Sequence, residues 1–422
     1  MDIARSCYTI KGCVESLKGD NKKIDSSVLR VLFAQSFYYL STSLIMNPVL
    51  PLFARSIGAS FAELGIMSMF RYLGFCLFEP TWGMLSDRIG RKRIIVTSIA
   101  IGTFVTLSFT FFRDIHWLYL VSFAEAVCSA GYIAPSRALI ADITPKEKRG
   151  REYGAFLAVQ TLFRMPGPFI GGYLAYNYDY YAAFFASAAF MFVGTIFVMR
   201  YFPKDKASEG NVAKPAKPDY RSVLNPRTMI FIASRALPFF FTFYSQTILT
   251  IVLKESPKFR ATEETIGLMA TTISGVTVLI QYLAGLILDK IGSVKLIIIG
   301  FALDGIGYFG YLIADNLAQM WLIRLIVSSF TPFYNVGMMV AMMDFVSKEN
   351  YGLAMGLYGL SEDIGGILGS SILGVMYDQF GFATCTYFMV VICFLAVLLI
   401  GINMRGRVHG ASSEVGRENR EL

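Results

Sequence analysis

An all-α membrane protein, with twelve transmembrane helices in two six-helix pseudo-repeats, is the fold class that three features of the sequence predict. The chain is 55% hydrophobic and only 16% charged, with a mean hydropathy of +0.53, too apolar for water-soluble domains of 422 residues. Twelve separate runs reach the roughly 20 apolar residues that a spanning helix needs. A single sequence offset then carries the first half onto the second.

The runs lie between charged or turn-rich breaks. In the first half they are Val28–Phe53, Phe61–Met84, Ile94–Phe112, Trp117–Ala141, Glu152–Tyr176 and Tyr181–Phe202. In the second they are Met229–Leu253, Thr265–Leu288, Val294–Ile313, Met320–Phe345, Leu353–Tyr377 and Thr384–Met404. With both termini placed inside, the cytoplasmic segments hold 27 Lys and Arg and the external loops five: Arg55, Arg113, Lys254, Lys258 and Arg260. The positive-inside rule therefore sets the orientation, and it explains the net charge of +8 without any nucleic-acid partner. Residues 1–27 are polar and basic, so no signal peptide is expected, and the six cysteines read as packing residues rather than a metal site.

Five parts are expected: a cytoplasmic tail at 1–27, a six-helix bundle at 28–202, a cytoplasmic linker at 203–226, a second bundle at 227–404 and a tail at 405–422. An offset of 202 takes Gly83, Asp87, Gly90, Asp142, Gly150, Gly154, Gly167 and Gly172 onto Gly285, Asp289, Gly292, Asp344, Gly352, Gly356, Gly369 and Gly374. One shift that holds across several helices is the mark of a duplicated unit.

Between segments two and three runs Gly83-Met-Leu-Ser-Asp87-Arg88-Ile-Gly90-Arg91-Lys92-Arg93. This stretch resembles the signature loop of the major facilitator superfamily. Ala141-Asp142-Ile-Thr-Pro145 onward is similar to that family's connection between helices four and five, so the resemblance extends over essentially the whole chain. It implies a latch in which Asp87 meets the start of helix eleven near Gly352 while Arg91 pairs with Asp142. In the second copy Asp289, Gly292 and Asp344 remain, but Ser293 stands where Arg91 would repeat, so a weaker latch is expected there.

Helix five carries Pro166-Gly167-Pro168-Phe-Ile-Gly171-Gly172, similar to the glycine-proline motif of proton-driven drug antiporters. Phe163 stands where that motif usually has its first glycine, and no arginine lies between Leu118 and Gly131. Read without the resemblance, Gly167, Pro168, Gly171 and Gly172 describe a kinked helix packed closely on its neighbour.

Seven ionisable residues fall near mid-membrane: Arg71, Glu125, Arg164, Arg235, Asp304, Glu362 and Asp363. At roughly 3 kcal/mol each they are too costly to stand unpaired, and their near-cancelling charges permit ion pairs between the halves. In the family fold Glu125 and Arg235 border the central cavity, with Arg71, Arg164, Glu362 and Asp363 beside it, so these six are the candidates for substrate or proton binding. Only one of the adjacent Glu362 and Asp363 is expected to face the cavity. Asp304 reads as a packing group, and Arg137 and Arg324 as residues that snorkel or pair. His116 and His409 both lie outside the spans, which leaves proton carriage to carboxylates, Glu125 first.

The resulting expectation is a monomeric secondary transporter in the cell membrane, exporting drug-like or amphipathic compounds by proton-coupled alternating access. Uptake or exchange of an organic anion or metabolite is the alternative, favoured by Arg71 and Arg164, and a non-transporting receptor or scaffold is a remote third. No cofactor, metal or enzymatic chemistry is expected: the chain has neither a phosphate-binding G-x-x-x-x-G-K-[ST] loop nor a nucleophile motif.

Overall fold

The structure, a computed structural model, describes residues 26–143, 149–202, 225–345 and 351–403. The tails and linker expected at 1–27, 203–226 and 405–422 lie almost wholly outside the described residues. Twelve helices follow in order: α1 (residues 26–56), α2 (Phe61–Ile89), α3 (Arg91–Ser108), α4 (Ile115–Ile143), α5 (residues 149–177) and α6 (Tyr180–Tyr201), then α7 (residues 226–255), α8 (Glu263–Ile291), α9 (Ser293–Ile313), α10 (residues 317–345), α11 (residues 351–380) and α12 (residues 382–403). Among the described residues nine stretches are long and apolar enough to span a membrane, and Leu353–Asn403, at 51 residues, contains two helices separated at Gly381, whose φ is +77°. The remaining two are α3, which opens on Arg91-Lys92-Arg93, and α5, which breaks between Arg164 and Gly167.

Outward faces are apolar. Phe104 on α3, Ile313 on α9 and Val391 on α12 are 72%, 73% and 61% exposed, a surface that would aggregate in water but suits hydrocarbon. Helix starts are sealed by side chains at matching places in the two halves. Ser60 forms a capping box with Glu63 at α2, and Thr262, one offset later, caps α8. Asp114 accepts from the His116 and Trp117 amides at the start of α4, which hold its carboxyl below the ordinary carboxylate range, and Asn316 caps α10.

The pseudo-repeat is visible in how the halves touch. Along α5 and α8, a methyl on Gly267 would overlap the Pro168 carbonyl and one on Gly172 would overlap that of Glu263. Along α2 and α11 the positions shifted by 202 do the same: Gly65 lies against the Ser370 carbonyl and Gly374 against that of Phe61. Backbone meets backbone at both seams, which is possible only without a Cβ.

Around the same end cluster further contacts between the halves. Arg55 forms a two-pronged pair with Glu255, its Nε 2.6 Å from Oε1, and lies over the Phe61 ring, which stacks on Tyr377 at 3.6 Å. The Asp378 carboxylate accepts from the Phe61 and Ala62 amides at 3.1 and 2.7 Å, supplying a helix N-terminus from the opposite half. Tyr180 donates to Glu263, which also pairs with Lys254, and Thr250 approaches Asn47 at 3.4 Å. At the opposite end, by contrast, Gly83, Gly285, Gly356 and Gly359 have open space where a Cβ would stand, and Met84 and Leu279 are 64% and 60% exposed. Among the described residues the bundle is thus closed at the α1–α2 end and open at the α2–α3 end.

The glycine loop differs from the sequence expectation. Residues 83–89 continue α2 and Arg91 begins α3, so the turn is a single residue, Gly90, at φ +111°; Gly292 at φ +84° repeats it. Nothing between Met84 and Ile89 breaks a helix, whereas a positive φ stops one at Gly90. Gly83 does not serve close helix approach in this state.

Gly267→Ala should therefore prise the α5–α8 seam apart and lower the thermal unfolding temperature in detergent by several degrees, whereas Gly285→Ala, which faces open space, should leave it unchanged. Equal melting of both variants would contradict the backbone-contact reading.

Candidate transport site

Midway along the bundle a cavity of about 60 Å³ lies between the halves. Met46, Leu50, Met67, Arg71, Tyr72 and Ser122 line it from α1, α2 and α4, and Phe243, Gln246 and Thr247 from α7. The lining is about evenly divided between polar and apolar side chains, and among the described residues Arg71 is its one charged member. On this measure the cavity has room for a few waters, not for a bulky solute, so this state is contracted around the site.

The Arg71 Nε donates to Glu125 Oε2 at 3.0 Å; Glu125 is 2% exposed and Arg71 only 28%. The second Glu125 oxygen accepts from Ser129 Oγ at 2.6 Å, and Ser129 in turn accepts from the Tyr38 hydroxyl at 2.7 Å. These residues come from α1, α2 and α4, so the pair is built within the first half. Burial of a lone carboxylate would be prohibitive; the pair and two hydroxyls make it tolerable. Arg71 also lies over the Phe75 ring, its guanidinium carbon 5.2 Å from the centroid.

In the second half Arg235 on α7 donates to Glu362 on α11 at 2.7 Å and to Asn335 on α10 at 2.5 Å, between the rings of Phe239 and Tyr358. Both pairs, the first with its carboxylate buried and the second partly buried, are thus internal to a half, which corrects the expectation of ion pairs between them. A pair between halves would have to break in every rocking cycle, whereas an internal pair travels with its bundle. Glu362 is the member of its doublet that is tied down. Asp363 and Arg164 form no ion pair among the described residues; each sits one turn or less beyond the last tight contact of its seam, Gly366 on Tyr72 for the first and Met165 on Thr271 for the second.

Of the loop residues, Arg91 pairs with Asp87 at 3.0 Å and with Asp142. Asp87 is 61% exposed and is engaged by Arg91; the side chains at the start of α11, near Gly352, lie outside the described residues. Arg88 is exposed. The side chains of Asp289 and Asp344 lie outside the described residues. Gly167 and Gly171 abut Ser43 and the Leu44 carbonyl of α1, while Gly172 meets α8, so the α5 motif packs on both halves at once; Pro168 contributes its carbonyl to Gly267. Asp304 is buried, in keeping with packing. Arg137 pairs with Glu79 at 3.2 Å, whereas Arg324 does not snorkel: it is 5% exposed and donates to the Ser245 carbonyl at 2.6 Å. Ser245 lies in the π turn Tyr244–Ile248 of α7, where the wider turn frees carbonyls; the wide turn of α1, Ile45–Val49, is broken by the extended Asn47.

Twelve helices in two symmetric bundles, meeting along glycine seams around a charged central cavity, define a secondary transporter. The chain matches the Major Facilitator Superfamily over residues 31–255 and 235–420, and it belongs to that family. It is 23% identical over 369 residues to the multi-drug resistance efflux pump PmrA of Streptococcus pneumoniae, covering 85% of this chain and 91% of that one. To the multidrug resistance protein MdtG of Proteus mirabilis it is 24% identical over 411 residues, 92% and 98% of the two chains. Among solved structures, a bacterial homolog of the human lysosomal transporter Spinster, in an inward-facing, unoccupied conformation, superimposes with a TM-score of 0.76 at 14% identity, covering 92% of this chain and 98% of that one.

Arg71→Ala should destabilise the protein by about 3 kcal/mol by leaving Glu125 buried without its partner. Adding Glu125→Gln should recover more than half of that loss, read as a coupling energy in a thermal-unfolding cycle; additive losses would mean that the two residues do not act as a pair.

Proposed function

We propose that the protein exports drug-like or amphipathic compounds from the cytoplasm in exchange for protons, as a monomer with both termini cytoplasmic. The excess of Lys and Arg on the segments at the α2–α3 end supports that orientation, which makes the present state cytoplasm-facing. The bundles at 28–202 and 227–404 rock about the cavity, with 203–226 as their tether. Arg91, held by Asp87 and Asp142, organises the α2–α3 end; closing that end would bring Asp87 toward α11, with Gly90 and Gly292 as the turns. Names of relatives such as PmrA and MdtG support drug export.

One observation carries the coupling: Arg71, the one charge on the cavity wall among the described residues, is neutralised by a carboxylate that a proton can cancel. With Glu125 ionised, the pair presents little net charge and a cationic or neutral amphiphile can occupy the cavity. Once Glu125 takes a proton, Arg71 stands unpaired in a low-dielectric cavity and repels a cation. Proton and solute then exclude one another, which is the thermodynamic content of antiport. Arg235, held by Glu362 and Asn335, keeps the second wall in place, while Asp363 lies outside the contracted cavity and would meet a solute amine only once the site widens.

A second reading, exchange of an organic anion, is favoured by Arg164, which is exposed and forms no ion pair among the described residues. Its coupling has the opposite sign, because a proton on Glu125 frees Arg71 for the anion. Binding of labelled solutes to purified protein separates the two. For export of cations, affinity should fall on acidification, and Glu125→Gln should abolish both the pH dependence and proton-driven transport in proteoliposomes. Affinity for carboxylates that rises on acidification would establish the anion reading instead.

A further inference from the structure

Helix α5 is interrupted where its sequence demands it. Pro166 and Pro168 lack an N–H, so two rungs of the backbone ladder are missing in advance, and the helix ends at Arg164 and restarts at Gly167. The neighbouring rungs are intact: the Met165 amide donates to the Thr161 carbonyl at 3.1 Å and the Ile170 amide to the Pro166 carbonyl at 3.0 Å. Between them the rung from the Phe169 amide to the Met165 carbonyl spans both prolines but has neither as donor or acceptor, so both of its groups are present. Here it is open, and the Thr271 hydroxyl stands in it, accepting from the Phe169 amide at 3.2 Å and donating to the Met165 carbonyl at 3.0 Å.

Thr271 belongs to α8, in the other half of the protein. A helical threonine ordinarily turns its hydroxyl back on its own helix, as Thr272 does to the Leu268 and Met269 carbonyls at 3.0 and 2.9 Å. Thr271 instead spends both hydrogen-bonding functions on α5. The pseudo-symmetric seam lacks the device: the offset of 202 places Met69 at the position of Thr271, and the place of Phe169 is taken by Ser371, whose own hydroxyl donates to the Ile367 carbonyl at 2.8 Å. Only one of the two seams thus has a hydroxyl from the opposite half inserted into a helix.

We infer that Thr271 is a positioning residue for alternating access, a plug that completes the α5 ladder only while the α1–α2 end is closed. When the halves rock the other way, α8 withdraws and the Phe169 amide returns to the Met165 carbonyl, so α5 straightens without leaving a polar group bare in the membrane. Each state satisfies the same two backbone groups, once through Thr271 and once through α5 itself. The insertion therefore sets the balance between states rather than overall stability, because backbone groups left bare in a bilayer are costly. This rests on the alternating-access reading above but not on which solute is carried.

The test compares Thr271→Val, which keeps the shape and loses the hydroxyl, with Thr271→Ser, which keeps the hydroxyl. Full-length protein in proteoliposomes would carry a cysteine introduced at Thr247 on the cavity wall, labelled by an impermeant maleimide added from the α1–α2 side, with hydrogen exchange of the α5 peptide around Phe169 measured in parallel. Thr271→Val should raise the labelling rate about tenfold, the shift expected for two neutral hydrogen bonds lost from one state only, while Phe169 stays protected through its own helix. Thr271→Ser should label at the wild-type rate. Unchanged labelling in Thr271→Val, faster exchange at Phe169 without faster labelling, or a Thr271→Ser variant as perturbed as Thr271→Val would each overturn the inference. If wild-type labelling does not respond to solute or pH at all, it is alternating access that fails, and the two failures are told apart.

Discussion

The structure depends on backbone touching backbone at two places. Gly267 and Gly172 on one seam, and Gly65 and Gly374 on the other, admit carbonyl oxygens where any other residue would place a methyl group. In lipid there is no hydrophobic drive between helices, so close van der Waals contact and hydrogen bonds must hold the halves together. Contacts of this kind are strong while made and leave nothing sticky behind when broken, which suits surfaces that separate and rejoin. The polar closures at the α1–α2 end, Arg55 on Glu255 and Asp378 on the α2 amides, add charge-assisted bonds around the same two seams.

Symmetry of packing is combined with asymmetry of chemistry. The offset that carries Gly65 onto Gly267 carries Arg71 onto Ile273, Glu125 onto Val327 and Arg235 onto Phe33. The duplicated unit therefore supplies the mechanical frame, and each half has acquired its own ion pair. Since those pairs are internal, rocking does not break them, and the charge presented to the cavity can change only by protonation or by a bound solute. In the proposed exchange, that separation lets a proton on Glu125 act on a solute through Arg71 without disturbing the seams.

Much of the frame was legible in the sequence, because spans and glycine spacing are local properties. The offset of 202, read from glycines and aspartates, reappears as matched seams and matched helix caps. Arg71 and Glu125 were identifiable as costly charges, but their pairing was not, since residues 54 positions apart meet only once α2 packs on α4. The loop at Gly83–Arg93 was overread as a turn because glycine spacing alone does not distinguish a helical glycine from a joint; a positive φ belongs to Gly90 alone. Ser129 and Tyr38, which complete the Glu125 environment, and Thr271, which enters the α5 break, carry no sequence signal beyond being polar in an apolar helix.

The central claim is that one rigid exchange links the two ends of the bundle, and distances between spin labels test it most directly. Labels at Ser56 and Ser256 report the α1–α2 end, and labels at Met84 and Met355 the α2–α3 end. On adding solute or changing pH, the first distance should lengthen as the second shortens, with both populations shifting to the same extent. Distances that stay fixed, or that change together in one direction, would contradict alternating closure of the two ends.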